Sequence, residues 1–150
     1  MRERSIDDDD GTMFLNVDLD ILSRSRLEPL VEALGDDVIV LHAGPEGRMH
    51  GAHVELSKGS CGKNADSVIR GLVALVKTLP KGPRRLWNTA NSREFNIGIQ
   101  AAFKPRRFEL RLQPETLKAA ASINGRIVVT VYAAELPKAK GMRTRTAVER

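Results

Sequence analysis

Residues 27–41, LEPLVEALGDDVIVL, decide the fold, because a short amphipathic segment, a glycine and a buried apolar run follow one another. Residues 114–129, PETLKAAASINGRIVV, repeat the same order near the other end of the chain. Each copy follows a strand-like run, so each predicts a strand, a short helix, a glycine stop and a buried strand, which is a βαβ unit. The leucine-to-glycine spacing is identical in the two copies: Leu27 to Gly35 and Leu117 to Gly125.

Hydrophobic periodicity places the other strands. Residues 13–21 alternate apolar and polar side chains, which is typical of a strand with one solvated face. Residues 38–41 are apolar on both faces, as expected of a strand inside a sheet. Further strands are expected at residues 49–56, 94–100, 108–112 and 126–132.

Capping signals and apolar stripes place the helices. Ser25 with Glu28 resembles a capping box for the first helix. Asn64 or Asp66 is expected to cap the longest helix, over residues 65–79, which has a continuous apolar stripe. A short turn of helix is expected at residues 84–90, and Pro114 is expected to open a short alanine-rich helix.

These elements predict an α+β fold with a ferredoxin-like βαββαβ core, extended by a further βαβ unit. The sheet is expected to be mixed, mostly antiparallel and about six strands wide, with helices on one face. A single domain is expected to span residues 13–136, between an acidic tail at 1–12 that is expected to be disordered and a basic tail at 137–150 that is expected to be flexible. The other face of the sheet is expected to be polar: Asn16, Asp18, Asp20, His53, Glu55, Glu94, Asn96, Gln100, Glu109 and Arg111.

Composition excludes several classes of protein. The chain of 150 residues is 41% hydrophobic, which is ordinary for a globular domain. It has no apolar run near the roughly 18 residues of a membrane span, and its N-terminus lacks the apolar core of a signal peptide. The single cysteine excludes an internal disulfide and favours a cytoplasmic location. No cofactor is expected, and no membrane partner.

The net charge of +5 is unevenly spread, because residues 1–12 carry −3 and residues 137–150 carry +4. A basic tail can bind nucleic acid through phosphate contacts, although many basic tails are only solvated ends. The most basic stretches of the body add to this candidate surface. Arginine and tryptophan are typical of binding interfaces and can also hold phosphates or stack on bases. The stretches hold Arg84, Arg85, Trp87, Arg106 and Arg107.

The loop at residues 59–63, GSCGK, lies at a strand-to-helix junction and resembles a phosphate-binding loop. Its glycine spacing differs from that of a Walker loop, and Asn64 stands where a hydroxyl is required. Gly62 and Lys63 are therefore candidates only for general anion binding at a helix start. Cys61 could be activated by Lys63 and the helix, or be a plain loop cysteine.

Histidines and aspartates supply two further candidates. His50 and His53 are three residues apart on a predicted strand, so their side chains point to opposite faces and do not bind one metal ion. His42 could instead meet His50 across a hairpin. No metal site is expected. Asp18 and Asp20 share one face of the first strand and could serve acid–base or Mg²⁺ chemistry, or be the solvated half of that strand.

The C-terminal part, residues 108–117 (FELRLQPETL), Gly125 and residues 127–132, resembles the ending of small bacterial domains in the family called domain of unknown function 4279. Members of that family tend to finish with a strand, a Ser/Thr-Pro-Glu-Leu-type helix start and an apolar strand that ends in tyrosine. Gln113 departs from the pattern, since a hydroxyl cap is commoner there. The resemblance implies an α+β domain of bacterial or phage origin and supplies no catalytic residues.

Three functions are compatible with these features. The leading hypothesis is a non-enzymatic interaction module that binds another protein, in an immunity or antitoxin setting, through its polar sheet face and its Arg/Trp segments. A weak nucleic-acid-binding protein is the second, and a small enzyme built around Asp18, Asp20 or Cys61 is the third. An unprotected edge strand also predicts a homodimer through the sheet edge.

Overall fold

The structure is a computed structural model that describes residues 11–57 and 64–136. These residues confirm an α+β fold and form five strands and four helices. The elements run in this order: β1 (Met13–Ser23), α1 (Glu28–Leu34), β2 (Val38–Glu46), β3 (Met49–Leu56), α2 (Ala65–Lys77), α3 (Lys81–Thr89), β4 (Ser92–Gln100), α4 (Pro114–Ser122) and β5 (Arg126–Tyr132).

All five strands belong to one mixed sheet with the order β2-β3-β1-β4-β5. The two strands expected to be buried, β2 and β5, are instead its edge strands, so Val40 and Val129 are 46% and 54% exposed. Neighbouring strands are antiparallel, except that β4 and β5 are parallel and are joined by α4. The parallel pair needs a long connection, which the helix supplies. The second copy of the sequence repeat therefore belongs to a βαβ unit, but the first strand of this unit is β4 rather than the expected strand at residues 108–112. In the first copy, β3 lies between β1 and β2.

The core lies between one face of the sheet and the helices. Along β1 the apolar residues Val17, Leu19 and Ile21 are buried, and the polar residues between them are partly exposed. The apolar residues at the start of the alternation, Met13 and Leu15, are exposed, and the register with β4 shifts there. The same alternation continues along β4. Helix α2 supplies the largest helical share of the core through Val68, Ile69 and Leu72, which are at most 1% exposed. One face of the sheet is thus covered, and the other is left to solvent.

The expected sixth strand, at residues 108–112, does not form, so the described sheet has five strands in place of about six. The physical reason is that β4 is already paired with β1 on one side and with β5 on the other. Leu110 and Leu112 pack against the core from an irregular segment instead. Glu109 and Arg111, expected on the polar sheet face, form a salt bridge with each other in this segment.

The caps and the starting residues of the helices agree in part with those expected from the sequence. Asn64 caps α2 as expected, since its side chain accepts a hydrogen bond from the Ser67 N–H at 2.9 Å. The capping box at α1 is wrong, because the first helix has no side-chain cap and the Ser25 N–H bonds to the Ser23 hydroxyl instead. Helix α3 is longer than expected, because it begins directly after Pro80.

The two glycine stops of the repeat differ in their physical cause. Gly35 has a φ of 66°, a conformation that favours glycine. In the second copy Asn124 has the positive φ, 58°, and Gly125 does not. Gly125 is instead required by space, because an added Cβ would overlap the ring of Phe95.

Several expectations fall on residues outside the described part of the chain. Cys61, Gly62 and Lys63 lie there, as do residues 1–10 and the basic tail 137–150. The described chain begins with Gly11 and Thr12, and the Thr12 N–H donates to the Lys104 carbonyl at 2.9 Å. Among the described helices, none has both the length and the apolar character needed to cross a membrane.

Candidate functional site

The face of the sheet that the helices leave uncovered, here called the open face, carries polar side chains from all five strands. Strand alternation directs one set of side chains to the core and the other to this face. The register of the sheet then brings the second set together across neighbouring strands. Its main polar members are Asn16, Asp18, Asp20, His42, Glu46, His53, Glu55, Glu94, Asn96 and Thr130.

A chain of side-chain hydrogen bonds crosses the open face from one edge strand to the other. The Thr130 hydroxyl of β5 donates to Asn96 Oδ1 of β4 at 2.7 Å. Asn96 Nδ2 in turn donates to Asp20 Oδ2 of β1 at 3.3 Å. His53 of β3 binds Asp20 Oδ1 through Nδ1 at 2.7 Å and binds Glu46 of β2 through Nε2. The five groups therefore hold one another in place in the spatial order of the strands.

His53 is the centre of this chain, because a carboxylate faces each of its ring nitrogens. Burial lowers its pKa, but the hydrogen bonds and charges of Asp20 and Glu46 outweigh that effect and raise the pKa above its usual value. A protonated imidazole donates from both nitrogens and so satisfies both carboxylates. Since the folded-state pKa is the higher one, this pairing stabilises the fold fully below about pH 6.5 and is lost as pH rises through the folded-state pKa.

Like charges face each other at two places on the open face. Asp18 lies directly opposite Glu55 of β3, and Asp20 lies opposite Glu94 of β4. Burial, followed by the charges of Asp20 and Glu55, raises the pKa of Asp18, and nearby His53 offsets part of the effect. Glu55 accepts a hydrogen bond from Asn16 Nδ2 at 2.8 Å. Among the described residues, Asp18 and Glu55 have no salt-bridge partner, so their repulsion is offset only in part by nearby His53. Asp20 is instead paired with His53, and Glu94 lies opposite Arg126 of β5.

Replacing Asp18 with asparagine is therefore expected to raise the free energy of unfolding at neutral pH by about 0.5 kcal/mol, the usual scale of a cross-strand charge pair. The raised folded-state pKa means that ionisation of Asp18 costs stability as pH rises from about 3.8 through that pKa. The difference in free energy of unfolding between the variant and the wild type should disappear below pH 3.8, where Asp18 is protonated in the folded and the unfolded state. Urea unfolding at several pH values measures this difference. Asp36→Asn, at an exposed aspartate, is the control; an equal gain there would contradict the explanation.

The structure brings together three of the residues singled out from the sequence, Asp18, Asp20 and Asn96. Sequence reasoning missed the roles of His53, Glu46 and Thr130 as their partners. Period-two alternation does place His53 on this face, but the partner of each side chain depends on the register between strands.

His42 faces His53 rather than His50 across the β2–β3 hairpin. The two rings are 5.7 Å apart between centroids, and the two residues are register partners. The reason is a register shift between Val40 and His42, which adds a residue to β2. His50 pairs with Pro45 on the other face. Within residues 11–57 and 64–136, no group of three or more histidine, cysteine, aspartate or glutamate side chains is arranged to hold a metal ion.

The basic and aromatic residues singled out from the sequence do not form one surface. Trp87 is fully buried, and its indole N–H donates to the Ile123 carbonyl at 2.9 Å. Arg84 donates to the Val76 carbonyl at 3.2 Å, at the C-terminal end of α2. Arg107 forms a salt bridge with Glu109. Two of the five remain exposed without a salt bridge among the described residues: Arg85 on α3 and Arg106 between β4 and α4.

A shallow cavity of about 270 Å³ lies between the start of α2 and residues 108–111. Its polar groups already have partners. Asp66 accepts a hydrogen bond from the Gln113 N–H at 2.9 Å, and Arg111 is paired with Glu109. The cavity therefore offers a ligand little beyond the rings of Phe14 and Phe108.

Comparison with known proteins found no family model, no curated protein and no solved structure that matches this chain. The resemblance of the C-terminal part to domain of unknown function 4279 stays a prediction.

Proposed function

We propose that this protein is a non-enzymatic interaction module and that its open face binds a positively charged segment of another protein. The observation that carries the proposal is the like-charge contact between Asp18 and Glu55, because neither residue has a salt-bridge partner among the described residues. This contact costs stability in the isolated protein. A partner that supplies lysine or arginine side chains would relieve the repulsion.

Charge complementarity favours a basic partner over an acidic one. Asp18, Asp20, Glu46, Glu55 and Glu94 concentrate negative charge on this face, although the chain as a whole carries +5. Complementary charges increase the rate of association and exclude partners of the wrong sign. The hydrogen-bonded chain through His53 holds several of these groups in position, which lowers the entropic cost of binding.

We further propose that β1 to β4 with α1 and α2 form a ferredoxin-like unit, to which α4 and β5 add the βαβ extension. The strand order β2-β3-β1-β4, antiparallel throughout, supports this assignment. The single cysteine supports a reducing, cytoplasmic setting for the interaction. An immunity or antitoxin role fits a module of this kind.

Neutralising the central charges is expected to weaken binding to a basic probe while increasing stability. The double variant Asp18→Asn with Glu55→Gln should lower the affinity for a fluorescent arginine- and lysine-rich peptide by about tenfold. Fluorescence anisotropy measures the affinity, and urea unfolding in the same buffer measures the stability. Opposite changes in the two quantities separate loss of a binding site from misfolding.

The matched control is Asp36→Asn with Asp37→Asn, which removes the same charge at an exposed 3-10 turn outside the open face. This variant should bind the peptide like the wild type. The proposal fails if both double variants bind alike, or if the wild type binds an acidic peptide as well as the basic one. It also fails if the protein binds single-stranded DNA in preference to the basic peptide.

The nucleic-acid alternative has less support. The buried position of Trp87 removes it as a residue on which bases could stack. Arg84 and Arg107 contact other groups of the protein. The carboxylates of the open face would repel a phosphate backbone.

A further inference from the structure

The two edges of the sheet differ in how well they are protected against pairing with another strand. At one edge, β2 contains a register shift after Val40, and Pro45 lacks a backbone N–H. Such features prevent a strand from joining that edge. At the other edge, β5 pairs with β4 over seven residues without a register shift, and the strand contains neither proline nor glycine. Among the described residues, β5 has no neighbour on its outer side.

The outer side of β5 presents backbone groups ready to pair. The Tyr132 carbonyl accepts the Ala101 N–H at 2.9 Å, so the backbone of Tyr132 faces β4. Backbone direction alternates along a strand, which places the N–H and C=O groups of Ile127, Val129 and Val131 on the outer edge. These backbone N–H and C=O groups, on every second residue of β5, are available to hydrogen-bond with another strand.

The sequence of β5 is complementary to itself in one antiparallel register. With Val129 opposite Val129 of a second copy, Ile127 lies opposite Val131, so three β-branched pairs pack on the helix side of the sheet. On the open face Val128 lies opposite Thr130, and Arg126 lies opposite the ring of Tyr132, a cation–π pair. No like charges meet in this register.

Exposed apolar side chains flank the same edge. Val129 and Val131 are 54% and 58% exposed, and Leu117 on the adjoining α4 is 47% exposed. Tyr132 is 53% exposed on the open face. Burial of these side chains against the same set in a second copy would add hydrophobic stabilisation to the backbone pairing.

We propose that two copies of this chain form a twofold dimer by antiparallel pairing of β5 with β5, centred on Val129. The pairing joins the two sheets into one of ten strands. The helices of both copies lie on one side, with the α4 helices adjacent. The two open faces become continuous, so a dimer would present two binding faces side by side. The dimer does not depend on the function proposed above.

Val129→Lys tests the dimer, because it places two lysines opposite each other at the twofold axis. Like-charge contact at an interface strongly disfavours association, so the dissociation constant of the dimer should rise by about a hundredfold or more. Val40→Lys is the matched control, since Val40 is 46% exposed on the other edge strand. Light scattering and sedimentation from micromolar to millimolar protein should show a dimer for the wild type and for Val40→Lys, and a monomer for Val129→Lys.

A charge-pairing experiment excludes misfolding as the cause. Val129→Glu should also be monomeric, but an equimolar mixture of Val129→Lys and Val129→Glu should form a heterodimer, because lysine then faces glutamate across the axis. A wild type that stays monomeric over the whole range would overturn the proposal. A Val129→Lys protein that dimerises like Val40→Lys would overturn it too, as would a mixture that stays monomeric.

Discussion

Replacing Trp87 with alanine is expected to lower the free energy of unfolding by about 3–5 kcal/mol. Trp87 is 0% exposed and is the largest fully buried side chain of the described core. The substitution removes its packing and leaves the Ile123 carbonyl without the indole N–H that binds it at 2.9 Å. Against a usual total stability of about 5–15 kcal/mol, this loss threatens folding at physiological temperature.

Chemical denaturation at constant pH measures the effect, with far-ultraviolet circular dichroism as the probe. Arg85→Ala is the control, because Arg85 lies on the same helix and is exposed. Trp87→Phe should cost less than Trp87→Ala, since it keeps an aromatic ring in the core and loses mainly the hydrogen bond. A Trp87→Ala protein of wild-type stability would contradict the buried position of Trp87 and favour the surface position expected from the sequence.

Replacing Gly125 with alanine is expected to lower the free energy of unfolding by about 1–3 kcal/mol, the usual cost of overpacking. An added Cβ would overlap the Phe95 ring and lie 3.2 Å from the Ala120 carbonyl oxygen. Phe95 is 0% exposed and therefore has little room to move. The cost arises from space, because the backbone of Gly125 does not have a positive φ.

Two control variants separate space from backbone conformation. Gly82→Ala adds the same methyl group in helix α3, where a Cβ would meet nothing within 4 Å, and should be neutral or stabilising. Asn124→Gly should also be tolerated, because it relieves the positive φ of Asn124. Thermal unfolding ranks the three proteins. Equal stability of the Gly125→Ala and Gly82→Ala proteins would show that the Phe95 ring moves to make room for the added methyl group, contrary to our explanation.

The position of polar side chains on the open face could be predicted from the sequence. Period-two alternation assigns Asp18, Asp20 and Asn96 to one side of their strands without knowledge of any neighbour. Their partners could not be predicted in the same way. A single extra residue in β2 moves His42 opposite His53, and such a shift leaves no clear local signal.

The positions and contacts of the arginine and tryptophan residues could not be predicted from residue type. Both residue types are enriched at binding interfaces, yet Trp87 is buried in the core. Arg93, which no motif singled out, donates to the Trp87 carbonyl at 2.8 Å, the Ala90 carbonyl at 3.0 Å and the Asn124 carbonyl at 3.1 Å. It therefore ties the end of α3 to the segment before β5. Contacts of this kind join residues far apart in the chain and have no period to detect.

The amino-acid sequence by itself determined the α+β class, most of the strands and helices, and the polar character of the uncovered sheet face. Periodicity, proline and glycine act on neighbouring residues, so each leaves a local pattern. Only the tertiary structure decided that residues 108–112 stay outside the sheet, because β5 occupies the remaining place beside β4. It also decided which carboxylates oppose one another and which edge stays unprotected, because strand order and register arise from packing between distant segments.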